Sequence, residues 1–347
     1  MTEVKNTQTL GIKINTGSYG ADVITAAATE YYKLGTFYQS FGEFINDKRE
    51  LHFDLTGAYR YPRAVTVAKH MVSGGITSTA VNAMPLYLAM GKYTSDGVTQ
   101  SQNVNQLDLM DFDSILPEFV VRNEDYNSTV GMYAHNVGCY VQNLNTAIDL
   151  RQPGNYLTYN STIAGQRTVT PGFAGASTAG KLVYPGSEDN EYKLDNNTVL
   201  NWGGTFASHE YSSGGDAIIN ELIDISLMID NSLIPRTPNG QQYPKKFQMG
   251  YQIPAFSMTI DRREYAQLSD DFQTMADGTT TKNVYFKIYQ SADDYMEWHI
   301  ENFMIQSIKA PNVQNNENRY DQVITGNMAG LRVKEYSTNV DGDTYYV

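Results

Sequence analysis

The sequence has little cysteine and no long apolar run. One cysteine, Cys139, stands among 347 residues, so no disulfide can form within the chain. Its strand-like surroundings indicate a small buried side chain and not a reactive thiol. No apolar segment is long enough to span a membrane, and the first residues lack the apolar core of a signal peptide. We therefore expect synthesis in the cytoplasm.

Basic residues are also scarce. Lys and Arg number 25 against 38 Asp and Glu, which gives a formal net charge of −13. Proteins bind nucleic acids largely through Lys and Arg contacts with phosphates, so this balance predicts repulsion of DNA and no general attraction for it. Tyr (26 residues) and Gly (28 residues) are abundant instead. Tyr suits strands and Gly suits turns, so the composition predicts a globular, mainly β protein.

Signals for catalysis or metal binding are missing. No histidine stands at metal-ligand spacing from another; the five are His52, His70, His135, His209 and His299. A Gly-x-Ser-x-Gly motif and a phosphate-binding Gly-x-x-x-x-Gly-Lys-[Ser/Thr] loop are both absent. Adjacent acids such as Asp270-Asp271 point apart, and Asp293-Asp294 is predicted at a hairpin turn. We therefore predict no enzyme, and no catalytic, cofactor-binding or metal-binding residue.

The clearest strand is predicted over 221–230. There Ile223, Ile225, Leu227 and Ile229 alternate with mainly polar residues, a pattern typical of a strand with one face in a core. Less regular patterns predict further strands at 119–121, 129–133, 138–144, 253–260, 284–289 and 296–308.

Two helices are predicted. The first covers 80–90, with Gly91 after its last turn and Pro85 kinking or shortening it. The second covers 261–276 and ends at Asp277-Gly278; its apolar residues recur at steps of three and four, which indicates one buried stripe.

Segment 94–117 is polar and acidic and is predicted to be a long loop. It contains four aspartates, Asp96, Asp108, Asp111 and Asp113. The regular spacing and central Gly of a calcium-binding loop are missing, so we interpret these residues as solvated. Three glycosylation sequons, at Asn127, Asn160 and Asn196, are interpreted as chance matches.

One short pattern occurs twice. Segment 138–145 matches segment 302–309 when Val141-Gln142-Asn143-Leu144 is aligned with Ile305-Gln306-Ser307-Ile308. The apolar positions and the Gln coincide, and each copy follows a helix-like segment that ends at Gly. We infer one structural unit used twice.

This repetition divides the predicted chain into five parts. A first unit covers 31–165 and a second covers 216–330, separated by an exposed insertion at 166–215 that is rich in Gly, Ser, Thr and Asn. Segments 1–30 and 331–347 have too little apolar bulk to fold alone and are predicted to be extended arms. The expected fold class is mainly β: two β-sandwich or barrel-like units, each with one flanking helix, and two terminal arms.

Three segments in this order carry a resemblance to a known family. They are Gly138-Cys139-Tyr140-Val141-Gln142-Asn143-Leu144, the strand 223–231, and the strand 256–260 with the helix after it. They resemble the tail tube proteins of long-tailed viruses of bacteria and archaea, in the variety that carries a duplicated tube domain. The resemblance covers about 60–345 without the insertion.

The resemblance implies a structural virion protein that polymerises as stacked rings into the tail tube. Inner strands of each unit are expected to join around the ring, and the resulting tube conducts DNA during ejection without binding it specifically. A trimer with pseudosixfold symmetry is favoured over a hexamer, and the arms are expected to link successive rings. Expected partners are further copies and other tail proteins, with no membrane and no cofactor. The expected location is the virion tail, assembled in the host cytoplasm.

Two alternative functions stay open on the sequence alone. A capsid, decoration or surface-layer protein shares the β content and the acidity. A secreted or virion-borne glycan-binding or glycan-processing β protein could use tyrosines and the two tryptophans, Trp202 and Trp298, as sugar platforms. We predict that both tryptophans are core or interface residues.

Overall fold

A computed structural model describes most of the chain. The described residues are 7–24, 29–33, 46–54, 64–99, 102–111, 114–127, 130–149, 156–169, 173–174, 181–183, 191–194, 198, 200–215, 217–219, 222–238, 241–261, 270–271, 274–275, 280–309 and 321–346. Among them no helix has the length and apolar character needed to cross a membrane.

The described part of the chain is mainly β, as the composition predicts. Two short helices are described from end to end, α1 (Met84–Met90) and α2 (Gly342–Tyr345). The strands are β1 (Thr7–Ile14), β2 (Glu30–Tyr32), β3 (Asn46–Asp54), β4 (Ala64–Thr79), β5 (Gly91–Thr99), β6 (Gln102–Leu109), β7 (Phe119–Asn127), β8 (Val130–Asp149), β9 (Thr158–Gly165), β10 (Arg167–Val169), β11 (Phe173–Ala174), β12 (Lys181–Val183), β13 (Leu200–Trp202), β14 (Thr205–Ala207), β15 (Glu210–Ser213), β16 (Ala217–Ile219), β17 (Leu222–Asp230), β18 (Ile234–Arg236), β19 (Lys246–Gln248), β20 (Ile253–Asp261), β21 (Lys282–Tyr289), β22 (Tyr295–Ile308), β23 (Asp321–Asn327) and β24 (Gly330–Ser337).

Most strands form three connected arrays that are antiparallel except for β12, while β14–β15 and β18–β19 form separate two-stranded hairpins. The first outer sheet has the order β2-β1-β7-β8-β10, with β12 parallel to β2. The second outer sheet has the order β16-β13-β21-β22-β24-β6-β5. The shared sheet has the order β3-β4-β9-β8-β17-β20-β23-β22. Strands β8 and β22 each run through an outer sheet and continue into the shared sheet.

Two sets of eight strands have the same pairing pattern. The first set is β1, β2, β3, β4, β7, β8, β9 and β10; the second is β13, β16, β17, β20, β21, β22, β23 and β24. Each of the seven pairings in the first set has an antiparallel counterpart in the second. The repeated sequence pattern lies in the two corresponding long strands, β8 and β22.

The two long strands also share their irregularities. Gly138 in β8 and Asn302 in β22 occupy aligned positions, and both have positive φ, 64° and 49°. Pairing with the outer sheet ends at Cys139 and at Phe303, and pairing within the shared sheet begins one residue later. A register shift follows at Gln142 in β8 and at the aligned Gln306 in β22. Because bulges bend a strand and increase its twist, both strands change sheet at the same aligned point.

The main hydrophobic core lies between the shared sheet and the two outer sheets. Trp298 and Phe286 of the second outer sheet stack at 5.4 Å, and Phe256 of the shared sheet stacks on Phe286 at 5.9 Å. Cys139 is fully buried in the same core, as predicted. Side chains from both strand sets contribute to it, so the two sets share one continuous core.

The predicted strands of the second set are confirmed. In β17, Ile225, Leu227 and Ile229 are buried while Met228 is exposed, which matches the predicted alternation. Ile223, predicted on the same face, is only half-buried, because a register shift between Leu222 and Asp224 puts Leu222 in the core instead. The strands predicted at 253–260, 284–289 and 296–308 correspond to β20, β21 and β22. In the first set, the two strands predicted at 129–133 and 138–144 are one continuous strand, β8.

The first predicted helix is shorter than expected. It begins at Met84 and not near residue 80, because Pro85 is accommodated only in the first turn, where its missing N–H costs nothing. Gly91 ends it in the left-handed conformation at φ 92°, as its position predicts. Most of the second predicted helix, 261–276, lies outside the described residues; residues 270, 271, 274 and 275 are helical, and Met275 is buried.

Two segments predicted as loops contribute strands. Segment 94–117 was expected to be a long loop, but β5 and β6 form a hairpin that extends the second outer sheet through β24. Segment 166–215 was expected to be an exposed insertion, yet Tyr192, Leu200 and Trp202 lie in the main core. Both predictions failed because strand partners distant in sequence order these polar or Gly-rich segments.

The terminal segments are not free arms. In the N-terminal segment, β1 pairs with β7 over eight residues and Ile12 is fully buried. In the C-terminal segment, β24 lies between β22 and β6, and Tyr346 is 1% exposed. The described residues of both predicted arms are therefore parts of the folded protein and not extended arms.

Candidate functional site: the shared sheet and its two edges

The centre of the shared sheet is a joint between the two strand sets. β8 and β17 pair over seven residues, from Asn143 with Asp230 to Asp149 with Asp224. The joint continues by one further bond, in which Asn231 N–H donates to the Gln142 carbonyl oxygen at 2.9 Å. We call this pairing the internal joint. It combines four strands of each set into one sheet of eight.

The face of the shared sheet that points away from the core consists mainly of short polar side chains. We call it the shared face. Its partly or fully exposed residues on described strands include Ser73, Gly75, Thr77, Asn143, Asn145, Ala147, Asp149, Thr158, Asn160, Thr162, Asp224, Ser226, Met228, Asp230, Ile253, Ala255, Ser257, Met304, Gln306, Ser307, Val323, Thr325 and Asn327. Cross-strand hydrogen bonds between hydroxyl groups also occur there, such as Ser307 Oγ with Thr325 Oγ1 at 2.6 Å.

The formal charge of the shared face is negative. Three of these residues, Asp149, Asp224 and Asp230, carry carboxylates, and none is Lys, Arg or an aromatic residue. Asp149 and Asp224 lie directly opposite each other in the register. The residues named for this face offer no cation to a phosphate and no ring on which a base could stack.

Both outer edges of the shared sheet are open within the described residues. At one edge, β3 pairs only with β4. At the other edge, the 304–308 part of β22 pairs only with β23. Each edge presents backbone N–H and C=O groups that can pair with another strand.

One end of the shared sheet carries a two-stranded extension. β4 pairs with β9 only over Val72–Thr79, while its earlier residues, from Ala64, pair with β3 alone. We call the β3–β4 segment formed by 48–54 and 64–71 the ribbon. At about 3.4 Å per residue, its seven to eight residues per strand project roughly 24 to 27 Å beyond the end of β9.

A buried carboxylate supports the point where β8 changes sheet. Glu118 accepts hydrogen bonds from Asn15 Nδ2 at 2.7 Å and from Gly20 N–H at 2.8 Å. Burial raises the pKa of Glu118. Tyr140 packs beside it, stacked on Tyr19 at 6.2 Å, and burial raises the pKa of Tyr140. The cluster fixes the N-terminal segment against the start of the shared sheet.

The outer face of the second outer sheet is different in chemistry; we call it the charged face. Glu297 at its centre contacts Lys287 Nζ at 2.7 Å and accepts a hydrogen bond from Tyr285 at 3.0 Å. Burial alone would raise the pKa of Glu297, but hydrogen bonds from His299 and Lys287 outweigh it and hold the pKa at about 2. The ionised carboxylate is thus stabilised in place.

The hairpin of β14 and β15 covers part of the charged face. Tyr211 stacks on Tyr285 with ring centroids 4.2 Å apart. Glu210 forms ion pairs with Arg332 at 2.7 Å and with Lys334 at 3.0 Å. Opposite charges are therefore paired within the chain across this hairpin.

A second buried glutamate connects elements from distant parts of the sequence. Glu335 is fully buried and accepts hydrogen bonds from Ala83 N–H at 2.9 Å, Asn105 Nδ2 at 3.0 Å and Tyr346 OH at 2.7 Å. Burial raises the pKa of Glu335 despite these neutral donors. The interaction ties the C-terminal segment to the start of α1 and to β6.

The residues considered for chemistry in the sequence do not converge. No group of three or more His, Cys, Asp or Glu within the described ranges is arranged to hold a metal ion. Trp202 and Trp298 are 0% and 1% exposed, so neither is a sugar platform. Asp293-Asp294 lies in the turn between β21 and β22, as predicted, where Asp294 accepts a hydrogen bond from Thr338 N–H at 2.7 Å.

Sequence reasoning missed the shared face as a site. Its residues come from seven strands, and short polar side chains carry no motif. The available signal was the polar half of each alternating strand, as in Asp224-Ile225-Ser226 of β17. The alternating pattern of each strand does not indicate that seven such strands lie in one sheet.

Comparison of the chain with protein-family models and with curated proteins gives no match.

Proposed function

We propose that this protein is a structural subunit that closes into rings by strand pairing between copies, and that stacked rings form a viral tail tube for the passage of DNA. The observation that carries the proposal is the internal joint, together with the two open edges. The joint pairs β8 of the first set with β17 of the second. In the two sets, β22 is the equivalent of β8 and β3 is the equivalent of β17. The same pairing between copies would therefore join β22 of one copy to β3 of the next.

The internal joint supplies a register for this contact. Tyr140, Ala164, Ser73 and Asn46 form one row of paired residues across the first set; the equivalent row of the second set is Met304, Asn327, Ala255 and Met228. This equivalence aligns Asn46 with Met228. Transferring the internal register therefore pairs Ser307 with Lys48 of the next copy and Ile308 with Asp47 of the next copy.

The number of strands favours three copies per ring. Eight strands per copy give 24 strands in a trimer, and at about 4.8 Å per strand the backbone diameter is about 37 Å before strand tilt widens it. Side chains of about 5 Å on each wall leave roughly 27 Å, a width that admits a DNA duplex. Two copies leave about 14 Å on the same arithmetic, which is too narrow.

The shared face suits the lumen of such a tube. Its side chains are short, so they leave the passage open, and its formal charges are carboxylates. Carboxylates repel phosphates, and the residues named for the face include no Lys or Arg, so DNA can slide with little retention. Lys48, which the transferred register places opposite Ser307, adds one basic residue at each joint. The ribbon projects along the strand direction and supports contact with a neighbouring copy beyond the ring plane.

Cysteine pairs provide a direct test of ring closure. We expect Ser307→Cys with Lys48→Cys to give disulfide-linked multimers, since residues paired across antiparallel strands lie 4.5–5.5 Å apart at Cα. The matched control is Asn143→Cys with Asp230→Cys, the equivalent pair in the internal joint, which should close within one chain. Nonreducing electrophoresis and electron microscopy of the same samples report both results.

The outcomes separate the candidate functions. Hollow rods with multimeric cross-links support the tube. Sheets or closed shells would instead indicate the capsid or surface-layer alternative, and a monomer whose 307–48 pair never links between copies would refute ring closure.

A further inference from the structure

The described chain exposes its large apolar side chains at one end of the shared sheet. The five that are clearly exposed are Ile115, Met228, Ile234, Tyr251 and Ile253. Tyr251, which is 84% exposed, and Ile253 stand where β20 begins. Ile234 follows the end of β17, and Met228 lies diagonally beside Ile253 in the β17–β20 register. Exposed apolar side chains gathered in one place are typical of a binding surface.

Hydrogen bonds bring Ile115 to the same end from a distant part of the chain. Leu116 N–H donates to Met249 Sδ at 3.2 Å, and Met110 N–H donates to Gln252 Oε1 at 2.8 Å. These bonds hold Ile115, which is 71% exposed, against the residues that precede β20.

A cleft opens beside Ile115. It has a volume of about 510 Å³, and its walls include three tyrosines, Tyr87, Tyr93 and Tyr140. Because tyrosine is enriched in protein interfaces, such a recess suits a side chain from a protein partner.

The hairpin of β18 and β19 adds positive charge to this end. Arg236 and Lys246 are directly paired across the hairpin, Lys245 is next in the chain, and all three are exposed. Arg236 Nε donates to the uncharged Gln248 at 2.8 Å. Like charges directly opposite each other destabilise a sheet, so this pair favours a role outside the fold. We call the end with these apolar and basic side chains the basic rim; its carboxylate at the base of the hairpin is Asp230.

Aspartates mark the opposite end of the shared sheet, which we call the acidic rim. Asp149 is paired with Asp224 between β8 and β17, and Asp261 is paired with Asp321 between β20 and β23. Lys309 follows the end of β22 at the same rim. The described strand ends therefore carry four aspartates and one lysine, while the connections that leave them lie mostly outside the described residues.

Ring closure directs the two rims out of the ring. Pairing of β22 with β3 uses the lateral edges of the shared sheet, so the strand ends face the spaces above and below the ring. A tube grows by head-to-tail contact, in which one rim meets the opposite rim of the next ring. The two rims differ in apolar exposure and in the sign of their formal charge, as such a contact requires.

We propose that the basic rim is the surface on which the next ring stacks, and that the acidic rim of a second copy of this chain covers it. The inference rests on the proposed ring closure, because that closure orients the rims. Stacking buries the exposed apolar side chains and places Arg236, Lys245 and Lys246 near carboxylates. The ribbon projects from the same end of the sheet and adds to this contact.

Hydrogen exchange locates the contact without altering the rim. Single rings, linked by the 307–48 disulfide and diluted below the concentration at which rods form, are compared with rods of the same protein. Residues 249–252 lie outside strands. We expect peptides that cover 249–253 to exchange at least tenfold more slowly in rods than in single rings. Peptides of the β14–β15 hairpin, 205–213, should exchange equally in both.

A substitution gives a second measurement. We expect Tyr251→Asp to raise the protein concentration needed for rods about tenfold, the effect of losing about 1.4 kcal/mol at an interface aromatic residue. Formation of the 307–48 disulfide should be unchanged. Thr205→Asp makes the same change in charge at an exposed position of β14 and should leave the concentration within twofold of wild type. Circular dichroism checks that both variants are folded.

The outcomes separate this inference from the proposed function. If rings form and Tyr251→Asp makes rods at the wild-type concentration, the stacking inference is wrong and ring closure stands. Slow exchange of 249–253 already in single rings would place the basic rim between neighbours of one ring, which also overturns the inference. If wild type forms no rings and the cysteine pair gives no link between copies, ring closure itself is refuted.

Discussion

The shared face and the charged face are both solvent-side faces of antiparallel sheets, yet they differ in almost every property. The shared face is made mainly of Ser, Thr, Asn, Ala and Asp, with a few apolar side chains such as Met228, and none of the residues named for it above is Lys or Arg. The charged face holds stacked tyrosines and ion pairs around Glu297, with Lys287 at 2.7 Å. The side chains of the shared face are mainly short and their formal charge is negative. The side chains of the charged face are large, and opposite charges are paired within the chain.

This difference indicates what each face is shaped to contact. Large aromatic and Arg side chains supply packing and directional hydrogen bonds, which suits contact with protein. A face of mainly short polar groups with a negative formal charge supplies little adhesion to a phosphate backbone, which suits a surface past which DNA moves. The comparison supports placing the shared face towards the lumen in the proposed tube.

The largest expected effect is at the centre of the charged face. We expect Glu297→Ala to lower the free energy of unfolding by about 3 kcal/mol, because Lys287 and Tyr285 lose a buried acceptor. The Glu297 pKa lies below its ordinary value of 4.5, at about 2, so its contribution is present above pH 4.5 and is lost as the pH falls towards 2. Urea unfolding at pH 7 and pH 2.5 measures both effects.

Two outcomes would contradict this account. One is wild-type stability in the alanine variant at pH 7. The other is an equal loss of stability between pH 7 and pH 2.5 in Glu297→Ala and in wild type, because the variant has no Glu297 carboxylate to protonate. Asp224→Ala on the shared face is the matched control, with an expected change within about 0.5 kcal/mol.

An intermediate effect of opposite pH direction is expected at Glu335. Burial raises its folded-state pKa above the ordinary 4.5, so its stabilising contribution is full below that pH and is lost as the pH rises through the folded pKa. We expect Glu335→Gln to remove this decline and to cost about 1 kcal/mol at low pH, since the amide keeps only one acceptor oxygen. Urea unfolding between pH 4 and pH 8 should show a flatter profile for the variant; parallel profiles would refute it.

The smallest effect on stability is expected for a substitution on the shared face, which should nevertheless strongly change the retention of DNA by assembled tubes. Asn145 is exposed at the internal joint opposite Met228. We expect Asn145→Arg to change the free energy of unfolding by no more than about 0.5 kcal/mol, while assembled tubes begin to retain DNA in a salt-dependent manner. Co-sedimentation of tubes with DNA fragments at low and high salt measures retention. Asn145→Gln is the neutral control, and equal retention by both variants would contradict a lumenal position.

The strongest sequence patterns correctly predicted local structure. Alternation in β17 is visible because Ile225, Leu227 and Ile229 must face a core, and a strand between two partners keeps that period. The alignment of 138–145 with 302–309 reflects two strands that change sheet at the same aligned position. The alternation in β17 and the repeated segment in β8 and β22 both arise locally, because each strand has one face buried in the core.

The failures have a common physical cause. β6 has the polar sequence Gln102-Asn103-Val104-Asn105, and it is a strand because β24 and β5 provide partners on both sides. The terminal segments looked too thin to fold, yet Ile12 and Tyr346 fill gaps in a core built by other elements. Such segments take their structure from distant partners and not from their own pattern.

The sequence by itself determined the β character, the negative charge, the buried Cys139 and the repeated strand pattern, because these depend on composition and on the local alternation of apolar residues. Only the tertiary structure decided that the two strand sets join edge to edge, that both termini lie in the core, and that polar residues of seven strands form one face. Those features depend on pairing between residues far apart in the chain. No local pattern specifies which strand lies beside which.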